Sequence, residues 1–408
     1  MNVWIINPYG SLPEEGWRTY RSTMIANALV KSGHHVVQFI SNFEHRSKTF
    51  RTESYEIRDI NPSYKIHIIP TSSYSSHISF DRIKYERSFG KYLLSLVDLD
   101  SPDVVILAEP AICYFNIIIK WIKVDLKAKL VIDLIDIWPE LFHLLFPKEL
   151  DLLAKVIFSP LYFWRKRLYR QADGLIAVSQ NYQHIGLKIK PFEKLKTDVV
   201  YWSIPKSELS NKISSTNDVI ANMIKFKHED EVWCIYAGTL GENYDVHSIM
   251  EAGKRLSKKY HSTKFKLLVA GDGPMSEYCR KNSDGITVVF LARLNSLDLE
   301  EVFKKCDLAL STYKGRSTVS MPIKAFDYLA FGLPLINSLG RDLGHFVEKY
   351  NVGINYVPES VEALFIAICK IVDDENLRDE MRKNAFHLSE SFSEDKQYAK
   401  FVSVVENV

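Results

Sequence analysis

Residues 321–336 read MPIKAFDYLAFGLPLI. Pro322 stands where a helix can start without a backbone donor, Gly332 where it can stop, and Pro334 leads into an apolar run that suits a strand. The stretch is a punctuated helix followed by a strand. Lys324 and Asp327 lie three residues apart on one face of that helix, in an otherwise apolar segment. A solvated pair at this spacing contributes about 0.3–0.5 kcal/mol. The pair is therefore either an ordinary surface bridge or part of a ligand site.

Working outward, the same alternation of apolar runs and amphipathic stretches fills the chain. Strands are expected at 3–6, 35–40, 64–69, 103–108, 129–133, 174–178 and 198–202, and again at 232–237, 265–270, 286–290, 307–311, 333–337 and 352–357. Helices fit between most of them, which predicts parallel α/β sheets covered by helices. The segment SIPKSELSNKISSTND, following Trp202, is polar and poor in large apolar residues, as a linker would be. A chain of 408 residues exceeds one ordinary core, so two domains of roughly 200 residues are expected. The boundaries fall at 1–203 and 204–385, with 386–408 a C-terminal helix packing back on the first domain.

With 46% hydrophobic and 25% charged residues the composition is that of a soluble globular protein. A formal charge of +2 gives no reason to expect a nucleic-acid partner. Cys113, Cys234, Cys279, Cys306 and Cys369 are scattered singly, without the close pairs of a zinc site or redox dithiol. The start, MNVWIINPYG, reads as a first strand rather than a signal peptide. No apolar run approaches the roughly 20 residues that span a bilayer, so the expected location is the cytoplasm.

In wound sheets ligands sit outside the carboxyl ends of the strands. Three post-strand loops there are rich in glycine: NPYGSLPEEGWR (7–18), AGTLGENYD (237–245) and AGDGP (270–274). Glycine lets backbone amides approach an anion at a helix N-terminus, although α/β turns favour glycine anyway, and AGDGP by itself is more simply a turn. The stretch PYGSLPEEGW does not match G-x-G-x-x-G, which disfavours a dinucleotide enzyme.

The order of these pieces is more specific than any one of them. YAGTLG (236–241), LLVAGDGP (267–274), VVFLARLNSLDLEEVFKKCDLALS (288–311), the opening stretch and VGINY (352–356) together resemble the donor domain of retaining glycosyltransferases of family 4, closest to the bacterial surface-polysaccharide and lipopolysaccharide branch. The first loop, KSGHHV (31–36), DLIDIWPE (133–140) and ADGLIAVSQ (172–180) resemble that family's acceptor domain. The resemblance implies the GT-B fold, two facing Rossmann-like domains with a central cleft. It also implies transfer of a sugar from a nucleotide diphosphate sugar, UDP being the commonest base, to a sugar or lipid-linked saccharide acceptor. Neither a metal nor a separate cofactor is expected, so fixed cations or amides must offset the charge growing on the leaving diphosphate, and water must be excluded as a competing acceptor.

Carried over by position, Asp327 takes the place of the ribose-binding acid, while Val319 stands where a first acid is expected; Ser320 and the amides of 320–323 are its substitutes. Counting from Gly238, the usual phosphate-binding cations fall on Thr239 and Tyr244. The missing charge is then sought from Lys324 first, and from Arg316, Lys314, Arg293 or, across the cleft, Arg18. Arg293 either flanks the base or faces solvent. On the acceptor side the resemblance implies Asp136 as an acceptor-hydroxyl contact or weak base, with Asp133 and Glu140 in reserve; the competing reading of Asp136 is a helix N-cap. Gly10, Gly16 and Arg18 carry over from the first loop, and His34 and His35 are structural.

The stretches YFNIIIKWIKVDLKAK (114–129) and YFWRKRLYR (162–170) mix aromatics with cations. Ordinary helix faces explain them, but they would also suit an anionic leaflet, with the protein peripheral on the inner face of the membrane. Two other functions stay open: a nucleotide-sugar epimerase, which would want more carboxylates or histidines than this site offers, and a non-catalytic GT-B partner of another transferase, favoured by the missing charged residues. Sugar, base, acceptor and linkage are not written in these motifs.

Overall fold

The apolar runs at 3–6, 104–108 and 129–134 lie side by side as the middle of one parallel sheet. The computed structural model describes residues 1–15, 21–76, 79–97, 99–111, 113–190, 195–203, 217–241, 243–260 and 263–408. They form two units, Met1–Trp202 with Glu394–Val408, and Ser203–Ser393.

In the first unit the elements run β1 (Asn2–Ile6), α1 (Arg21–Lys31), β2 (His35–Ser41), β3 (Glu56–Asn61), β4 (Tyr64–Ile69), α2 (Phe80–Ser95), β5 (Val104–Ala108), α3 (Phe115–Lys120), β6 (Lys129–Leu134), α4 (Asp151–Ile157), α5 (Ser159–Gln171), β7 (Gly174–Ala177), α6 (Gln180–Leu187) and β8 (Lys196–Val199). The sheet order is β8-β7-β6-β5-β1-β2-β4-β3, and within it β3 alone pairs antiparallel. Strand order therefore reverses between β1 and β5. Edge strand β3, EIRDIN, was not among the expected strands. Its alternating half-buried and exposed positions carry charge, which protects an edge but leaves no apolar run to read.

The second unit holds α7 (Asp218–Lys225), β9 (Val232–Ala237), α8 (Val246–Lys259), β10 (Phe265–Ala270), α9 (Ser276–Asn282), β11 (Val288–Ala292), α10 (Ser296–Lys305), β12 (Leu308–Ser311), α11 (Ile323–Ala330), β13 (Leu335–Asn337), α12 (Arg341–Tyr350), β14 (Gly353–Asn355), α13 (Val361–Asp373) and α14 (Glu375–Ser389). Its six strands are parallel in the order β11-β10-β9-β12-β13-β14, reversing between β9 and β12.

The expected boundary at 385/386 is corrected to 393/394. Helix α14 runs through the expected cut, burying Met381, Ala385 and Leu388 and packing on α11 and α13. The chain returns to the first unit only with α15 (Glu394–Glu406), whose Tyr398, Phe401 and Val405 join Met24, Ile25 and Val200 in one core. The linker stretch lies largely outside the described residues.

Beneath that core is a fully buried ion pair. Arg21 gives Nε and Nη2 to the Asp133 carboxylate at 2.9–3.0 Å and Nη1 to the Val200 carbonyl at 2.8 Å. The side chains are 0% and 2% exposed. Asp133, held in reserve for acceptor chemistry, is committed to structure: both its oxygens are spent tying α1 to β6. Removing one partner strands the other as a buried charge, so Asp133→Ala should destabilise the protein by about 3–5 kcal/mol in chemical denaturation. The double change Arg21→Met with Asp133→Leu should cost much less than the sum of the two single changes.

Candidate functional site

Each sheet opens a gap at its carboxyl end where strand order reverses. In the second unit the gap is walled by the loops following β9 and β12, and α11 enters it. Lys324, in the first turn of α11, sends its ammonium between three rings. Nζ lies 4.2 Å from the centre of Tyr236, 4.6 Å from Tyr244 and 5.3 Å from Tyr313. The residue as a whole is partly exposed, yet Nζ itself is buried and has no hydrogen-bond partner. No Lys324–Asp327 bridge forms among the described residues. Desolvation pulls the amine down to about 7 from an ordinary lysine value of 10.5, and the π faces return only part of the lost hydration.

Gly238 forms the roof of this cage. Its φ is +144°, and a Cβ there would lie 2.8 Å from Lys324 Nζ. The loop is laced to its neighbour: Gly238 N donates to Ala270 O at 3.0 Å, and Leu240 N to Asp272 O at 2.9 Å. A Cβ on Gly271 would come within 1.9 Å of Gly238 O, so AGDGP serves as packing and turn. The Tyr236 hydroxyl donates to Thr239 O at 2.7 Å, and Tyr328 OH accepts from Ala237 N at 2.9 Å.

The other expected donor residues divide. Thr239 and Arg316 are exposed, and Asp327 is half-buried on the α11 face that also carries Lys324. Arg293 is exposed and contributes to holding the Asp272 carboxyl low, after the hydrogen bonds from Ser276 and Gly273. Ser320 is a correction. It is 1% exposed, and its hydroxyl donates to Asp342 at 3.1 Å, so the group expected to meet a sugar is spent pinning α12. A cavity of about 920 Å³ lies to the β13–β14 side of the gap, lined by Lys314, Val319, Gly340, Arg341 and His345. None of Gly238, Lys324 or Asp327 lines it, and the buried ammonium without a hydrogen-bond partner sits in the cage.

In the first unit the gap between β1 and β5 holds a network that sequence reasoning missed. Tyr9 OH donates to Glu86 at 2.6 Å and accepts from Arg82 Nε at 3.1 Å; the guanidinium stacks 4.4 Å from the centre of Trp138. Glu86 is buried, and desolvation raises its carboxyl against the pull of Arg82. Glu109 is 3% exposed. Its Oε2 accepts from Ala111 N at 2.7 Å and its Oε1 has no partner. Burial pushes it up to about 7. Arg82 and Glu86 are an i,i+4 pair on α2, indistinguishable in the sequence from a solvated helix bridge.

Asp136 is exposed at the rim of this gap. The N-cap reading fails: the short helix that follows begins at Glu140 behind Pro139 and has no side-chain cap. Desolvation by the surrounding protein raises the Asp136 carboxyl, with Arg82 opposing. Glu140 is taken by Arg165, at 2.6 Å. Gly10 is corrected too. Its amide donates to Asn7 O at 3.0 Å, and a Cβ would strike Ile40 at 2.6 Å, so it closes a turn rather than offering an amide to a ligand. Gly16 and Arg18 lie outside the described residues. Of the two basic-aromatic stretches, 114–129 divides: Phe115, Ile118 and Ile122 are buried and Lys123 pairs with Asp173 at 2.6 Å, while Lys120, Lys127 and Lys129 are exposed. Among the described residues no cluster of three or more His, Cys, Asp or Glu could hold a metal ion, and no helix is long and apolar enough to cross a membrane.

Residues 221–388, most of the second unit, match the family model described as "Glycosyl transferases group 1". The chain is 21% identical over 369 residues, 86% of its length and 78% of the relative's, to chitobiosyldiphosphodolichol beta-mannosyltransferase of Candida albicans. It superposes on WaaG, a glycosyltransferase involved in lipopolysaccharide biosynthesis, with TM-score 0.63 and 15% identity, covering 99% of each chain. A structure described as "Trehalose-6-phosphate from E. coli bound with UDP-2-fluoro glucose" gives TM-score 0.71 at 12% identity, covering 100% of this chain and 99% of that one. The chain has the GT-B fold and resembles the group 1 glycosyltransferases.

The two displaced groups predict opposite pH behaviour. The penalty on the Lys324 ammonium is full below about pH 7 and fades as pH rises toward 10.5. Lys324→Met should therefore raise the melting temperature most at or below neutral pH, with a gain that shrinks in alkali. The penalty on the Glu109 carboxylate is absent below about 4.5 and full above about 7. Glu109→Gln should stabilise above neutrality and lose that advantage in acid. Calorimetric scans across pH check both slopes.

Proposed function

We propose that this chain is a retaining, metal-independent hexosyltransferase that moves a sugar from a nucleotide diphosphate sugar, a UDP-sugar first, to a lipid-linked saccharide in cell-surface polysaccharide assembly, working from the cytoplasmic side of an anionic membrane. The observation that carries it is the Lys324 ammonium, buried and without a hydrogen-bond partner at the switch point of the unit that matches the family model. A desolvated cation without an anion is unfavourable until a ligand supplies the charge. A diphosphate meeting it would find an oriented donor in a low-dielectric site, where each charge counts for more than in water. Asp327, on the same helix face, then takes the ribose hydroxyls, and Asp136, kept basic by its raised pKa, takes the acceptor hydroxyl.

The lipid-linked acceptor draws its support from the Candida relative, whose name specifies a saccharide on a dolichol diphosphate. That name also specifies a beta linkage, which makes the anomer the discriminating readout. The reading as a non-catalytic partner keeps one specific observation, the uncharged Thr239 and Tyr244 where two cations are expected.

A nucleotide-release assay over UDP-, GDP- and dTDP-sugars, with lipid-linked and free acceptors, should give turnover with one donor. Proton NMR of the product should show the donor's own anomeric configuration. Inversion would remove the retaining assignment, and neither release nor thermal stabilisation by any nucleotide would leave the non-catalytic reading. Diphosphate binding should recharge Lys324, so calorimetry near pH 8 in buffers of different ionisation enthalpy should record proton uptake. Lys324→Met should abolish that uptake and weaken the donor by about 10- to 100-fold.

A further inference from the structure

Exposed apolar side chains are unevenly spread over the molecule. Among the described residues, seven of the 23 exposed large hydrophobics fall between 145 and 163: Leu145, Leu150, Leu152, Leu153, Val156, Ile157 and Phe163. Helix α4 supplies four of them, and Ala154 is its one fully buried residue. Positions 152, 153, 156 and 157 fall on a single helical stripe, so α4 is amphipathic with its apolar side turned outward. Leu152 is 75% exposed, Val156 63% and Phe163 64%; singly such exposures are ordinary, and it is their clustering on one segment that marks an interaction surface.

What surrounds the stripe is basic. Lys148, Lys155, Lys166, Arg167 and Arg170 are all exposed, against exposed Glu149 and half-buried Asp151. Trp164 and Leu161, partly buried, pack with Phe158 on a small nucleus of Trp138 and Phe142, and Arg165 fixes α5 to Glu140 and to the Trp138 carbonyl, each at 2.6 Å. The segment is thus firmly seated from beneath while its outer side chains have no cover.

We propose that α4 and the exposed face of α5 dock on an anionic lipid bilayer, with Leu152, Leu153, Val156, Ile157 and Phe163 entering the acyl boundary and the five cations meeting lipid phosphates. Aliphatic residues with a ring at the margin and a cationic collar match the chemistry of an interfacial helix. A protein groove has no equal need for so many cations around the contact. The placement on the first unit rests on the reading that this unit receives a lipid-linked acceptor. It gives that acceptor a surface from which to be presented, on the same loop-and-helix segment that follows Asp136.

The test is flotation of the full chain with vesicles of phosphatidylcholine alone or with about one third phosphatidylglycerol, at low and high salt. The wild type should float with the anionic vesicles at low salt only. Leu152→Ser with Val156→Ser should lower vesicle affinity by about 100-fold, and Lys166→Gln with Arg167→Gln should weaken it and flatten its salt dependence. Transfer to a water-soluble acceptor, measured on the same variants, should be unchanged, which separates docking from the enzymatic proposal. Three results overturn the docking proposal: no flotation of the wild type, flotation of the serine variant equal to wild type, or a solution dimer that the serine substitutions dissolve. Flotation without any sugar transfer sustains the docking and overturns the enzymatic reading instead.

Discussion

A parallel sheet whose strand order reverses cannot be covered evenly at its carboxyl edge. The connections leaving the two strands at the reversal run to opposite faces, and between them a gap opens that no backbone fills. Both units of this protein are built on that constraint. The gaps between β1 and β5 and between β9 and β12 each gather polar groups, Arg82, Glu86 and Glu109 in one and Lys324 with its three tyrosines in the other. The central strands themselves are nearly continuous apolar runs buried on both faces, which leaves these gaps as the candidate places for ligand chemistry.

Two buried cations show how such a fold separates structure from site. Arg21 and Lys324 both have their charged atoms withdrawn from water. Arg21 is satisfied by a bidentate carboxylate and a backbone carbonyl, and a guanidinium held this way has no capacity left for a ligand. Lys324 has only π faces, which attract the charge without accepting a full hydrogen bond. Its amine therefore relieves part of the cost by losing basicity, a route closed to arginine. Burial with acceptors makes Arg21 a structural cation; burial without one leaves Lys324 open to an anionic ligand.

The strands were legible because a parallel strand buried on both faces must be written as an apolar run, and the helix at 323–330 because Pro322 and Gly332 punctuate it. What escaped reading shares a physical reason: the sequence of a segment states its polarity but not which way it faces. EIRDIN looks like a loop and is an edge strand. Arg82 and Glu86 look like a surface bridge and lie in the first gap. Gly10 and Ser320 have the residue types of ligand contacts, yet one closes a turn and the other holds a helix. The apolar stripe of α4 would be written the same way whether it faced the core or the solvent.

The absent cations of the second unit and the tyrosine cage are best understood as one change. Tyr244 stands where a phosphate-binding cation is expected, and its ring lies 4.6 Å from Lys324 Nζ. A lysine or arginine in that place would set a second positive charge against a buried one, and at an effective dielectric of about 20 two such charges 4 Å apart repel by about 4 kcal/mol. An aromatic side chain converts that repulsion into weak attraction and fills the space that a longer chain would leave loose. The loop thus gives up its own charge and becomes the wall that positions a charge delivered from α11, with Gly238, bare of a side chain, as the roof over it. On this argument the uncharged Tyr244 does not by itself mark a lost site; it is what the proposed site around Lys324 would require.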